Sequence, residues 1–247
     1  MEGSKNTSAL ILNRQPYREY DSLVTVYTLD YGKLLLIARG TKKLQSKLAG
    51  HLEPLTLADI MIISGKGRDY VGAALGREIY SDIRGDLNKL YYAGQAVKIF
   101  NRLVRDNQAD QSLFFLLTDW LEVLNVFLSL AKESGELLLA SFSFQFLTEL
   151  GYQPEIKKCL DCGSEIEPGK NYFHLLKGGV ICASCQEKEK SEGDLTNSHL
   201  LAVSDNCLKI IRFILSNKFE RIVKVKIDKK LAKELSTLAD KFIQYHW

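Results

Sequence analysis

Apolar and polar residues alternate over five short stretches early in the chain, at 9–12, 23–29, 33–38, 57–63 and 70–79. A period of two turns one face of each stretch inward, which is the pattern of half-buried strands. Turn residues punctuate the series, with Tyr31-Gly32 after the second stretch and Ser64-Gly-Lys-Gly-Arg68 after the fourth. Five short strands without a long helix among them predict a small closed barrel over residues 1–80. The OB-fold is the commonest five-stranded barrel, and an SH3-like barrel is the competitor.

After Gly85 the period lengthens. Leu87, Leu90, Tyr91, Gly94, Val97, Phe100, Leu103 and Val104 recur at helical spacing and form one apolar stripe. The stretches 113–130 and 137–150 are apolar almost all round, separated by Lys132-Glu133-Ser134-Gly135. A transmembrane hairpin is the alternative to a pair of buried helices. Asp119, Glu122 and Asn125 interrupt the first stretch, and the second is too short for a bilayer, so buried helices are the expectation. Gly151 is placed to end the second helix, and Pro154 prevents its resumption. Residues 186–194 read as an exposed loop and 199–215 as a further helical stripe containing Cys207, expected to be a small core residue. A last helix is predicted from Asp228 as N-cap, with Leu231, Leu235, Leu238, Phe242 and Ile243 inward and Lys229, Lys230, Lys233 and Lys241 wet. The whole predicts an α+β chain: barrel over 1–80, helical domain over 81–247, and an insertion at 156–188.

That insertion carries the sharpest chemical signal. Cys159-Leu-Asp-Cys162 and Cys182-Ala-Ser-Cys185 are two CxxC pairs separated by nineteen residues. Each pair lets two thiolates turn back onto one metal ion, and a short hairpin brings the pairs together. Residues 171–176 suit one strand of that hairpin, Gly178-Gly179 its turn, and Val180-Ile181 leads into the second pair. One structural Zn2+ held by Cys159, Cys162, Cys182 and Cys185 is the expectation; two disulfides, or iron on the same sulfurs, are the alternatives. Four thiolates close the coordination shell, so the metal is expected to fold a knuckle and not to perform chemistry. His174, between the pairs, is expected to be an ordinary hairpin residue.

Composition adds bounds. The chain has 247 residues, is 46% hydrophobic, and carries a net charge of +3 with a pI near 8.5. That length accommodates two domains, and the total charge alone does not single out a nucleic-acid binder. Its distribution is more informative: residues 31–52 contain Lys33, Arg39, Lys42, Lys43, Lys47 and His51 and no acid. The opening residues MEGSKNTSAL lack the basic start and apolar run of a secretory signal, which predicts a cytoplasmic protein. No catalytic motif stands out. The glycines at 65 and 67 do not make GxGxxG, because Tyr70 takes the third position, and there is no phosphate loop, HExxH or GxSxG. No enzymatic activity is expected.

Several stretches carry a family resemblance. Residues 18–32 (REYDSLVTVYTLDYG), 39–47 (RGTKKLQSK), Leu52-Glu-Pro54, 146–154 (FLTELGYQP) and 178–182 (GGVIC) succeed one another across nearly the whole chain, with the cysteine pairs in place. In this the chain resembles the bacterial RecO recombination mediators. The resemblance implies an N-terminal OB-fold, a helical domain with a zinc knuckle, and binding without turnover. It further implies binding of single- and double-stranded DNA, strand annealing, and cooperation with RecR, and in some species RecF, to place RecA on DNA coated by single-stranded-DNA-binding protein. A nucleoid-associated cytoplasmic location goes with it. Lys33, Arg39, Lys42, Lys43 and Lys47 then become phosphate contacts, with Arg14, Arg18, Lys66 and Arg68 as outlying candidates. Tyr17, Tyr20, Tyr27, Tyr31 and Tyr70 are candidate stacking platforms. The helical domain is expected to hold an apolar groove for the acidic, hydrophobic tail of single-stranded-DNA-binding protein. Glu53 is a departure, a charge where the family commonly has a neutral amide. Two other classes stay open: a zinc-containing interaction adaptor that does not touch DNA, and a transcription or translation factor whose knuckle reads nucleic acid.

Overall fold

The computed structural model describes residues 3–127, 131–191 and 199–246. Five strands, β1 (Ser4–Pro16), β2 (Ser22–Thr28), β3 (Gly32–Ala38), β4 (Leu57–Ile63) and β5 (Tyr70–Glu78), close into a barrel in the order β1-β2-β3-β5-β4. The long first strand makes closure possible: its start pairs with β4 and its end with β2, with a register shift between Ile11 and Asn13. β3 meets β5 in parallel at Ile37 and Tyr70. This connectivity is that of an OB-fold and not of the SH3-like alternative. Alternate residues of the strands, among them Ile11, Val24, Val26, Leu36, Ile60, Ile62 and Val71, fill the interior, and a short 3₁₀ turn (Ala49–Leu52) adds Leu52. The period-two pattern is thus the core pattern.

Helices α1 (Ser81–Gly85), α2 (Leu87–Leu103) and α3 (Gln111–Val126) follow. The chain divides by contacts into Met1–Val126 and Phe127–Trp247, so these helices belong to the compact unit of the barrel, although the strands themselves end before residue 80. The reason lies in the open side of β3. The connection after α2 runs beside it, with a Lys33–Asp106 bridge and the Asn107 N–H donating to the Lys33 carbonyl at 2.9 Å. Gly32, at φ +69, fits against that connection because a Cβ would stand 2.1 Å from the Gln108 carbonyl oxygen. Tyr27 packs edge-on to Phe100 at 4.7 Å and donates to the Asp110 carbonyl.

The expected stripe of α2 is corrected over its first half. Leu87, Leu90 and Tyr91 are exposed, at 85%, 40% and 60%, while Lys89 is 2% exposed. The lysine goes inward because its ammonium donates to the Asn125 carbonyl in the last turn of α3 at 2.8 Å, where carbonyls without helical partners favour a cation. The small side chains Ala93 and Ala96 make the close-packed face.

In the second unit α4 (Lys132–Glu149) is buried nearly all round, with Phe142, Phe144 and Phe146 at 0% exposure. It is the central helix, packed by α6 (Asp205–Ser216), α7 (Phe219–Ile222) and α8 (Lys229–Gln244), which explains its lack of a polar face. Among the described residues no helix is long and apolar enough to cross a membrane. Gly151, at φ +89, ends α4 as expected: its N–H donates to the Thr148 carbonyl and that of Tyr152 to the Leu147 carbonyl. Asp228 caps α8 as expected, accepting from the Leu231 N–H at 2.8 Å. Cys207 is fully buried in α6.

Between α4 and α6 lie β6 (Asn171–His174), β7 (Gly179–Cys182), α5 (Ala183–Ser191) and β8 (Leu200–Val203). β8 corrects the expected helix over 199–215, which begins only after Ser204. Leu200–Val203 pairs antiparallel with β6, and the Ser204 hydroxyl then caps α6 by accepting from the Cys207 N–H. The loop expected over 186–194 is helical as far as Ser191; residues 192–194 lie outside the described residues, as do 128–130 of the earlier helical stretch.

Candidate functional site

The basic residues separate into two groups. Lys33 is structural: its ammonium donates to the Asn101 carbonyl at 3.0 Å and pairs with Asp106 at 3.0 Å, with the side chain only 16% exposed. Arg14 is likewise engaged, donating to the Ala49 carbonyl and pairing at 2.7 Å with Glu53. Neither arginine nor lysine is offered to a ligand as the sequence suggested. Arg18, Arg39, Lys42, Lys43, Lys47, Lys66 and Arg68 are all exposed.

These seven come from three segments held together at one end of the barrel. Tyr17 N–H donates to the Asp21 carbonyl and closes the β1–β2 turn, which carries Arg18. The basic segment after β3 is fastened to that turn: Lys42 donates through its N–H to the Tyr20 carbonyl (3.0 Å) and through its ammonium to the Arg18 carbonyl (2.7 Å). Gly40 N–H also donates to the Asp21 carboxylate at 2.9 Å. The β4–β5 turn, with Lys66 and Arg68, borders the same segment, since Ile37 N–H donates to the Asp69 carbonyl and the Arg39 guanidinium lies 4.2 Å from the Tyr70 ring centre. Lys47, Lys66 and Arg68 have no hydrogen bond or ion pair among the described residues. The β1–β2 and β4–β5 loops of OB barrels are where oligonucleotides and oligosaccharides commonly bind. Seven converging cations favour the polyanion.

The aromatic candidates also separate. Tyr27 is 1% exposed and belongs to the core, and its hydroxyl is pushed up to about 12 by burial. Tyr31 and Tyr70 are half-buried, whereas Tyr17 and Tyr20 stand in the β1–β2 turn at 43% and 48% exposure. Burial of this kind is not visible in a sequence where all five tyrosines sit in similar surroundings.

The four cysteines of the two CxxC pairs are brought together as expected, with all sulfurs within 4.8 Å of one another. Cys162 and Cys182 Sγ are 3.9 Å apart, close to the roughly 3.8 Å that a tetrahedron with bonds of about 2.3 Å requires. Backbone bonds build the site: Leu160 N–H donates to the Val180 carbonyl, Gly163 N–H to the Cys159 carbonyl, and Cys182 N–H to Cys159 Sγ at 3.4 Å. Hydrogen bonds from Ser164 hold Cys162 down to about 6, and Ser184 lowers Cys182, while burial and the other thiols push Cys185 up. Four thiolates this close ionise together only around a cation, so the donor set fits a metal ion and closes its shell. His174 stands apart from the sulfurs; its Nδ1 accepts from the Lys177 N–H.

The second unit also contains an open cavity of about 380 Å³ between β8 and α8, lined by Leu201, Val203, Leu238, Lys230 and Lys233 among others. Its floor is apolar and its charged lining mixed: Lys230 and Lys233 stand with Glu234, whose carboxylate accepts from the Ser204 N–H and hydroxyl.

Two family models cover the chain, "Recombination protein O N terminal" over residues 1–74 and "Recombination protein O C terminal" over 84–247. Curated relatives agree. A "DNA repair protein RecO" of Desulforamulus reducens is 27% identical over 238 residues, spanning 96% of this chain and 88% of that protein. One from Dehalococcoides mccartyi strain BAV1 is 29% identical across 93% of this chain and 85% of the relative. A third, from Acetivibrio thermocellus, is 25% identical across 96% and 90%.

Proposed function

Because the chain belongs to the RecO family of DNA repair proteins, we propose that it is a recombination mediator that binds single- and double-stranded DNA and anneals complementary strands. With RecR it helps to load RecA onto DNA coated by single-stranded-DNA-binding protein, and it does so by binding, without catalytic turnover. The observation that carries the reading is the fastening of three cationic segments into one exposed end of an OB barrel. Such a surface neutralises phosphates of either strand without reading base edges. The four-cysteine centre holds one structural zinc, which secures the knuckle. The cavity between β8 and α8 takes the acidic tail of single-stranded-DNA-binding protein, its apolar anchor on Leu201 and Leu238 and its carboxylates near Lys230 and Lys233.

The deciding experiment is annealing of complementary strands precoated with the cognate single-stranded-DNA-binding protein, with and without RecR. Acceleration by the protein supports mediation. Binding to the tail peptide without any salt-dependent affinity for DNA would point to the adaptor reading instead.

A further inference from the structure

Resting on the DNA-binding reading, we propose that Tyr17 and Tyr20 form a base-stacking platform that makes the barrel end select unpaired strands over duplex. The argument begins with placement. Both rings stand in the five-residue turn between β1 and β2, 43% and 48% exposed, whereas Tyr27 of the same barrel is buried at 1%. They contribute little to the core, and the turn is held by its own backbone bonds, Tyr17 N–H to the Asp21 carbonyl and Lys42 N–H to the Tyr20 carbonyl. The rings are therefore presented by a rigid frame.

Each ring also has a cation at its face. The Arg18 guanidinium carbon lies 5.0 Å from the centre of Tyr17, and the Lys43 ammonium 5.4 Å from that of Tyr20. Such contacts hold exposed rings in few orientations before any ligand arrives. They also put a positive charge within reach of the phosphate of whichever nucleotide lays its base on the ring. Stacking of this kind tolerates any base, because every base has a flat face, but it needs a base that is free to leave its own stack. A duplex keeps its bases stacked and offers only phosphates. The phosphate contacts are common to both forms of DNA; the tyrosines are useful to one.

A probe that has phosphates but no bases separates the two contributions. Affinities of the full-length protein are measured by fluorescence anisotropy for oligothymidylate, for an abasic strand of equal length, and for a duplex. The wild-type protein should prefer oligothymidylate to the abasic strand. Tyr17→Ala with Tyr20→Ala should lose roughly 5- to 150-fold for each ring that stacks a base, on oligothymidylate only. Its affinity for the abasic strand and the duplex, and its salt slope, should match wild type. Tyr17→Phe with Tyr20→Phe keeps the rings and should restore the preference, which guards against a fold defect in the alanine variant. A folded alanine variant, by circular dichroism, that keeps the wild-type preference overturns the platform and leaves DNA binding standing. Failure of the wild-type protein to bind any of the three probes overturns the DNA reading itself.

Discussion

Lys33 and the cluster of Arg39, Lys42 and Lys43 lie close in sequence, yet substitution should give opposite results. In Lys33→Ala the Asn101 carbonyl, in the last turn of α2, loses a charged donor at 3.0 Å, and Asp106 loses its partner. A hydrogen bond from a charged group contributes about 1.5–3 kcal/mol. The pair with Asp106, whose side chain is 72% exposed, adds at most about 1 kcal/mol after solvent screening. A loss of about 2–3 kcal/mol should lower the unfolding temperature of the barrel unit by roughly 6–15 °C. The slope of log affinity against log salt for single-stranded DNA should stay at the wild-type value. The triple variant Arg39→Ala, Lys42→Ala and Lys43→Ala removes the bond from the Lys42 ammonium to the Arg18 carbonyl and two cation–ring contacts, all at exposed side chains, so its unfolding temperature should fall less than that of Lys33→Ala. Each phosphate contact contributes about 0.7 to the slope, and three lost contacts should flatten it by about 2. Scanning calorimetry and anisotropy titrations at several salt concentrations read both quantities. A triple variant that is folded and keeps the wild-type slope, or a Lys33 variant that flattens the slope at unchanged stability, would refute this division of roles.

Other outcomes follow from the remaining sites. Metal analysis of protein purified without chelator should find one zinc per chain, and Cys159→Ser should lower both zinc content and the thermal stability of the second unit; another metal, or none, counts against the assignment. Because the four thiols must lose their protons to bind the ion, zinc affinity should weaken on acidification, read by competition with a chromogenic chelator at several pH values; an affinity that does not change with pH would contradict thiolate ligation. Gly32→Ala must move the Gln108 carbonyl and adopt a positive φ, and should cost at least about 2 kcal/mol in calorimetry of the barrel unit; an unchanged transition would show that the connection after α2 yields freely. Lys230→Glu with Lys233→Glu should weaken binding of an acidic, apolar tail peptide by roughly tenfold in titration calorimetry, and no change would place that peptide elsewhere.

What could be read from residue order was what local physics decides. The strands showed because one face of each is buried, Gly151 and Asp228 because caps demand particular residue types, and the metal centre because thiolate spacing is itself geometry. What escaped depends on distant partners. The inward turn of Lys89 is set by a carbonyl on α3, and the apolar stripe read from periodicity did not include it. Leu200–Val203 is too short to declare itself a strand until β6 offers an edge. Arg14 and Lys33 resemble Lys47 and Arg68 in composition and differ only in whether a carbonyl and a carboxylate wait within 3.0 Å.

The same distinction bears on how a mildly basic protein could anneal DNA. A net charge of +3 on 247 residues looks weak for a polyanion partner, but charge summed over a chain is not charge at a surface. Seven exposed cations are gathered at one barrel end by a handful of backbone bonds and outnumber the acids there: Asp21 and Asp69 accept from backbone N–H groups, Glu53 neutralises Arg14, and Glu19 is an exposed acid in the β1–β2 turn. The local field is then positive without a deep channel. Annealing requires both strands to be screened from each other and neither to be gripped, because the product must leave as a duplex. Contacts made by long, exposed side chains supply screening at small ordering gain per contact, and they exchange readily. A platform of two rings adds attraction that disappears once a base pairs and rejoins a stack. On this reading, the fall in affinity on pairing releases the duplex, and no enzymatic step is needed to drive the protein from its product.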